Sequence, residues 1–117
     1  MNDHLCYLNG QLLSHAEAKV SVADGGLLYG DGLFETMRIY AGRPYLLEQH
    51  LQRLKAGAAY LEIPLEGTRE LNTAVEQVIE ANAVTEGSLR LTLTGGGNRV
   101  ALWPRTPQVK PTLLITV

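Results

Sequence analysis

The sequence contains one cysteine, Cys6. That excludes an internal disulfide, so the fold must stand on packing, and a reducing compartment is its simplest home. Cys6 reads as a small apolar strand residue, since an activated thiolate would need a base or a depressed pKa that His4, two positions away, does not securely supply. No run approaches the roughly 20 apolar residues of a membrane span. The start Met1-Asn2-Asp3-His4 has neither the basic nor the apolar region of a signal peptide. A cytoplasmic protein with no membrane partner is expected. An excess of one charge is also missing: ten basic residues against twelve acidic ones leave a net charge of -2, which gives nucleic acid no general hold. Three scattered histidines and the single cysteine provide no metal-ligand spacing, so no metal is expected. There is no serine or cysteine triad, no internal repeat and no sustained heptad.

What the chain does have, in 117 residues, is enough length for one domain that buries roughly two-thirds of its unfolded surface. Leu5-Cys6-Tyr7-Leu8, Asn9-Gly10 and Gln11-Leu12-Leu13 predict a hairpin, because an Asn-Gly pair suits a two-residue turn with positive backbone angles. A short strand is expected from Lys19 to Val22, a longer one from Leu33 to Tyr40, and a second hairpin through Ala41-Gly42-Arg43 into Pro44 to Leu46. Leu47, Leu51, Leu54, Ala58 and Leu61 recur at helical spacing, and a second helix from about Thr68 to Asn82 buries Leu71, Ala74, Val75, Val78 and Ile79, with Thr68 as its cap. Ser88 to Thr94 and Pro111 to Val117 read as strands, joined by a Gly95-Gly96-Gly97-Asn98-Arg99 loop and an irregular Trp103–Pro111 connection. The expected fold is α+β: a mainly antiparallel sheet with two helices packed on one side.

The most informative stretch is Asp24 to Arg38, where a glycine-punctuated turn runs into a strand. Alternation puts Leu33, Met37 and Ile39 on one face and Phe34, Thr36, Arg38 and Tyr40 on the other. Glu35 falls on the apolar face, where a carboxylate needs a partner or backbone donors. On the first long helix, His50, Arg53 and Gly57 share a flank beside the apolar stripe. From helix geometry alone, Arg53 is either a snorkelling arginine or a site residue. Arg38, Arg53, Arg90 and Arg99 together suit bidentate capture of carboxylate or phosphate, yet no base or nucleophile accompanies them. Such a site would bind anions and take its reaction from elsewhere.

Asp24-Gly25-Gly26-Leu27-Leu28-Tyr29-Gly30-Asp31-Gly32-Leu33-Phe34-Glu35-Thr36-Met37-Arg38, followed by Glu48-Gln49-His50-Leu51-Gln52-Arg53-Leu54, closely resembles the amino-terminal domain of class IV aminotransferases, the fold type IV enzymes dependent on pyridoxal phosphate. The resemblance covers essentially the whole chain. It implies that Arg53 binds the cofactor phosphate and that Tyr29, Phe34 and Arg38 line the substrate side. Arg99 matches an arginine that in some members holds a substrate carboxylate. In D-amino acid aminotransferases a histidine follows two positions later; Ala101 stands there in this chain and argues against that specificity.

The resemblance also implies that the lysine that carries the cofactor lies beyond Val117, as does the acid that pairs with the pyridine nitrogen. Residues 1–117 are therefore expected to be the small amino-terminal domain of a longer protein, with no catalytic residue of their own and no activity alone. Within the family, the run from Leu28 to Thr36 with Arg43-Pro44-Tyr45-Leu46-Leu47 looks most like 4-amino-4-deoxychorismate lyase, which releases pyruvate and leaves 4-aminobenzoate for folate biosynthesis. A branched-chain amino acid aminotransferase is the alternative, and a free-standing binding module is the alternative of another class. A small-molecule carboxylate substrate and a homodimer are the implied partners.

Overall fold

The computed structural model describes residues 4–97 and 110–117. Asn98 and Arg99 of the Gly95–Arg99 loop, Ala101, and most of the Trp103–Pro111 connection lie outside the described residues.

The first hairpin forms as expected: β1 (Leu5–Leu8) pairs with β2 (Gln11–Ser14), and the turn puts Asn9 and Gly10 at φ 50° and 96°. β3 (Gly32–Tyr40), β4 (Arg43–Pro44), β5 (Gly87–Thr94) and β6 (Thr112–Thr116) complete one six-stranded sheet in the order β2-β1-β6-β5-β3-β4. Every pairing is antiparallel. The α+β reading therefore holds.

Two long helices, α2 (Leu47–Tyr60) and α3 (Thr68–Ala81), close one face of this sheet. Their apolar stripes meet the leucines and isoleucines that alternation sends inward. Leu51, Leu54, Leu71, Val75 and Val78 are sealed from solvent together with Met37, Ile39, Leu89, Leu91 and Ile115. The other face is open, as an antiparallel sheet with one polar side permits. Gly57 serves this packing rather than a bare backbone patch, because a Cβ there would sit 2.5 Å from Leu33 Cδ1, where α2 presses on β3.

Three local expectations give way. Lys19 to Val22 forms no strand: the Ser21 hydroxyl accepts the Ala23 N–H and the Ser21 carbonyl accepts the Asp24 N–H, and these local bonds compete with any ladder. The strand foreseen at Pro44 to Leu46 shrinks to Arg43–Pro44, since Leu46 turns left-handed at φ 57° to enter α2. Thr68 does not cap α3. Gly67 occupies the cap, and the Thr68 hydroxyl instead accepts from Lys55 Nζ at 2.6 Å.

The glycine turn also holds more order than its composition suggests. Residues Gly25–Tyr29 form a one-turn helix, α1, a third helix beyond the two expected. Asp24 caps its start and Gly30, left-handed at φ 66°, ends it, a conformation that costs a glycine little.

Candidate functional site

The alternation of β3 controls the site. Its odd positions face α2, which places Glu35 inside at 5% exposure, where an unpaired carboxylate would be costly. The partners come from one flank of α2, three residues apart. Arg53 Nε donates to Glu35 Oε2 at 2.9 Å and Arg53 Nη2 donates to Oε1 at 2.8 Å, a bidentate fork. His50 Nδ1 lies 2.6 Å from the same Oε1. Burial alone would raise the Glu35 carboxyl, but the hydrogen bonds and charges of Arg53 and His50 outweigh it and hold the group below the ordinary carboxylate value. Arg53 is raised in turn by Glu35.

The even positions build the open face. Phe34 is 55% exposed, and the Arg90 guanidinium lies 4.1 Å from its ring centroid. Arg90 Nε also lies 3.4 Å from the Thr36 hydroxyl across the strand pair. Arg38 sits 5.1 Å from the Tyr40 ring, which meets Tyr45 edge-on. Cation–π contact holds both guanidiniums over this face, with the Arg90 Nε–H directed at the Thr36 hydroxyl. Among the described residues, neither Arg38 nor Arg90 has a carboxylate partner.

At the start of β3 the glycine turn is pinned to the sheet by Asp24, 2% exposed. Its Oδ1 accepts the Gly26 N–H, and its Oδ2 accepts the hydroxyls of Thr94 at 3.0 Å and Thr112 at 2.7 Å. Gly25 N–H to the Gly96 carbonyl and Gly95 N–H to the Asp31 carbonyl add two backbone ties. A pocket of about 430 Å³ opens here, walled by Val20, Leu27, Phe34, Thr92 and Leu114. Tyr29, at the end of α1, is 52% exposed. Concavities of about 580 and 810 Å³ elsewhere are lined by none of the expected site residues.

Tyr29, Phe34 and Arg38 are thus exposed, Phe34 and Arg38 on the open face, whereas Arg53 belongs to the helical face. Outside β3, β4 pairs only with Ile39 and Tyr40, so among the described residues the edge from Gly32 to Met37 has no outer strand. A ligand touching both Phe34 and Arg53 must bridge the sheet at that edge. Sequence reading recognised that Glu35 needs a partner but did not name His50 and Arg53. The signal was present, a carboxylate on an apolar strand face and two cationic groups one helical turn apart. It did not foresee Asp24 as the anchor of the glycine turn.

The model of the amino-transferase class IV family matches residues 32–117. That span takes in β3, both long helices and the Glu35, His50 and Arg53 cluster. The chain belongs to the class IV aminotransferases. A Methanocaldococcus jannaschii protein, provisionally named a branched-chain-amino-acid aminotransferase, is 40% identical over 100 residues, 85% of this chain and 35% of its own length. The branched-chain amino acid aminotransferase of Escherichia coli superposes with TM-score 0.89 at 26% identity, over 98% of this chain and 39% of its own. The 4-amino-4-deoxychorismate lyase of Pseudomonas aeruginosa gives TM-score 0.77 at 36% identity, over 96% and 38%. The chain therefore spans under two-fifths of the length of each of these three.

Class IV enzymes work with pyridoxal 5'-phosphate, and the residues here fit its phosphate. Glu35 uses two of the five guanidinium N–H groups of Arg53. The Arg53 side chain is 72% exposed, which leaves the end-on fork for a second, external anion. Lys55, on the outer side of α2, donates to the Thr68 hydroxyl on the exposed surface. Among the described residues no cluster could hold a metal ion, and no helix is long and apolar enough to cross a membrane.

Proposed function

We propose that this chain is the small amino-terminal domain of a pyridoxal-phosphate-dependent 4-amino-4-deoxychorismate lyase, completed by a larger domain that carries the lysine. The observation that carries the reading is the open sheet face, where Arg38 and Arg90 stand over aromatic rings with no carboxylate of the described chain to neutralise them. A cyclic substrate with two carboxylates matches such a face: planar rings against Phe34 and Tyr40, anions against the guanidiniums. Likeness to the Pseudomonas lyase supports it.

When bound, the cofactor acts as the electron sink for bond cleavage at the substrate α-carbon. The residues of this chain bind and orient. Arg53 holds the phosphate through its free fork; Phe34, Tyr29 and Arg38 line the substrate side, and Arg99 is assigned a substrate carboxylate. Val20, Leu27 and Leu114 offer the ring an apolar wall. Alone, the chain is inactive for want of the lysine, and two copies of the complete protein pair as a homodimer.

A branched-chain amino acid aminotransferase is the second reading, favoured by the 40% identity to the Methanocaldococcus protein and by an apolar pocket that would suit an aliphatic side chain. Assay of the full-length protein separates the two. Pyruvate and 4-aminobenzoate formed without an amino acceptor are expected; glutamate formed from 2-oxoglutarate and a branched-chain amino acid, with no 4-aminobenzoate, would replace the lyase reading.

A further inference from the structure

The guanidinium assigned to the phosphate has a carboxylate on its other side. By charge alone Glu35 opposes the binding of an anion at Arg53, so its presence there calls for another account. Three observations supply one. Glu35 is 5% exposed while the Arg53 side chain is 72% exposed, so the acid is fixed in the core and the arginine reaches out from it. The contact is a side-on fork using Nε and Nη2, which sets the plane of the guanidinium as well as its place. His50 Nδ1 meets Oε1, the same oxygen that takes Nη2, at 2.6 Å and at 18% side-chain exposure, which restrains the carboxylate's own rotation.

We propose that Glu35 is a positioning residue for phosphate binding: it holds Arg53 with its end-on fork presented outward, and His50 fixes Glu35 in turn. The inference rests on reading Arg53 as the phosphate ligand. An exposed arginine is rich in rotamers, and ordering it in advance removes that cost from the binding step. Lysine could not substitute, since a single ammonium lacks two planar forks. The two effects of Glu35 have opposite signs. If only its charge mattered, Glu35→Gln would tighten anion binding; if it orients Arg53, the same change weakens it, because the amide turns an N–H toward one guanidinium N–H.

The test is cofactor titration of the full-length apo-protein, followed by the absorbance of bound cofactor, with pyridoxal 5'-phosphate and with pyridoxal, which lacks the phosphate. Arg53→Ala is expected to remove most of the preference for the phosphorylated form. Glu35→Gln is expected to weaken the phosphorylated form about tenfold and to leave pyridoxal within about twofold. His50→Ala, which spares the buried acid, is expected to give about threefold in the same direction and serves if Glu35→Gln does not fold. Tighter or unchanged phosphate-form binding in both variants, or equal loss of both ligands, overturns the positioning role. Unchanged preference in Arg53→Ala overturns the phosphate assignment beneath it.

Discussion

Asp24→Ala is the substitution whose effect follows most directly from the geometry. The carboxylate is 2% exposed and accepts three hydrogen bonds: the Gly26 N–H at 2.8 Å, the Thr94 hydroxyl at 3.0 Å and the Thr112 hydroxyl at 2.7 Å. Loss of the helix cap costs about 1 kcal/mol. Each hydroxyl bond to a buried carboxylate is worth about 1.5–3 kcal/mol, but Thr94 and Thr112 are only half-buried, so water recovers part of that and about 1 kcal/mol each is the better figure. Together the loss is about 3 kcal/mol, a large share of the ~5–15 kcal/mol that stabilises a domain. It corresponds to roughly 10 °C in Tm at this size. Urea and thermal unfolding, monitored by the far-ultraviolet signal, measure it. Asp24→Asn keeps the Oδ1 bond to Gly26, and its amide can donate to the threonine oxygens, so it should lose about half as much. A double-mutant cycle with Thr112→Val should be non-additive, because both changes remove the same bond. A loss under about 1 kcal/mol for Asp24→Ala, or additivity in the cycle, would refute the claim that this acid ties the glycine turn to β5 and β6.

Two further outcomes are expected. Glu35 is held below the ordinary carboxylate value by Arg53 and His50 against the opposing effect of burial. Its contribution to stability is therefore fully present above the unfolded value of about 4.3 and is lost as pH falls through the lower folded value; the urea midpoint of the native protein should drop more steeply below that pH than that of Glu35→Gln, and parallel curves would contradict it. Burial pushes the Cys6 thiol up, and the residue is 1% exposed, so a thiol reagent at neutral pH should label it only at the rate of unfolding, whereas prompt labelling in the folded state would show the strand is open.

Most of the architecture could be read from periodicity. A strand with one side in a core must alternate, and Leu89, Leu91 and Leu93 do so as plainly as Leu51, Leu54 and Ala58 mark the inner stripe of α2. The Asn9-Gly10 turn followed from local stereochemistry. The same local reasoning failed from Lys19 to Val22, where Ser21 bonds its own neighbours, and at Thr68, whose hydroxyl is drawn to Lys55. Neither outcome is encoded in residue spacing.

The sequence by itself determined which residues face inward, that Glu35 would need partners, and, through two separated motifs, the family. Only the tertiary structure decided who those partners are. Glu35 and Arg53 are 18 positions apart, and Asp24 and Thr112 are 88 apart. Such contacts depend on how α2 crosses β3 and how the sheet orders its strands, and those are set by the packing of the whole core rather than by any local run of residues.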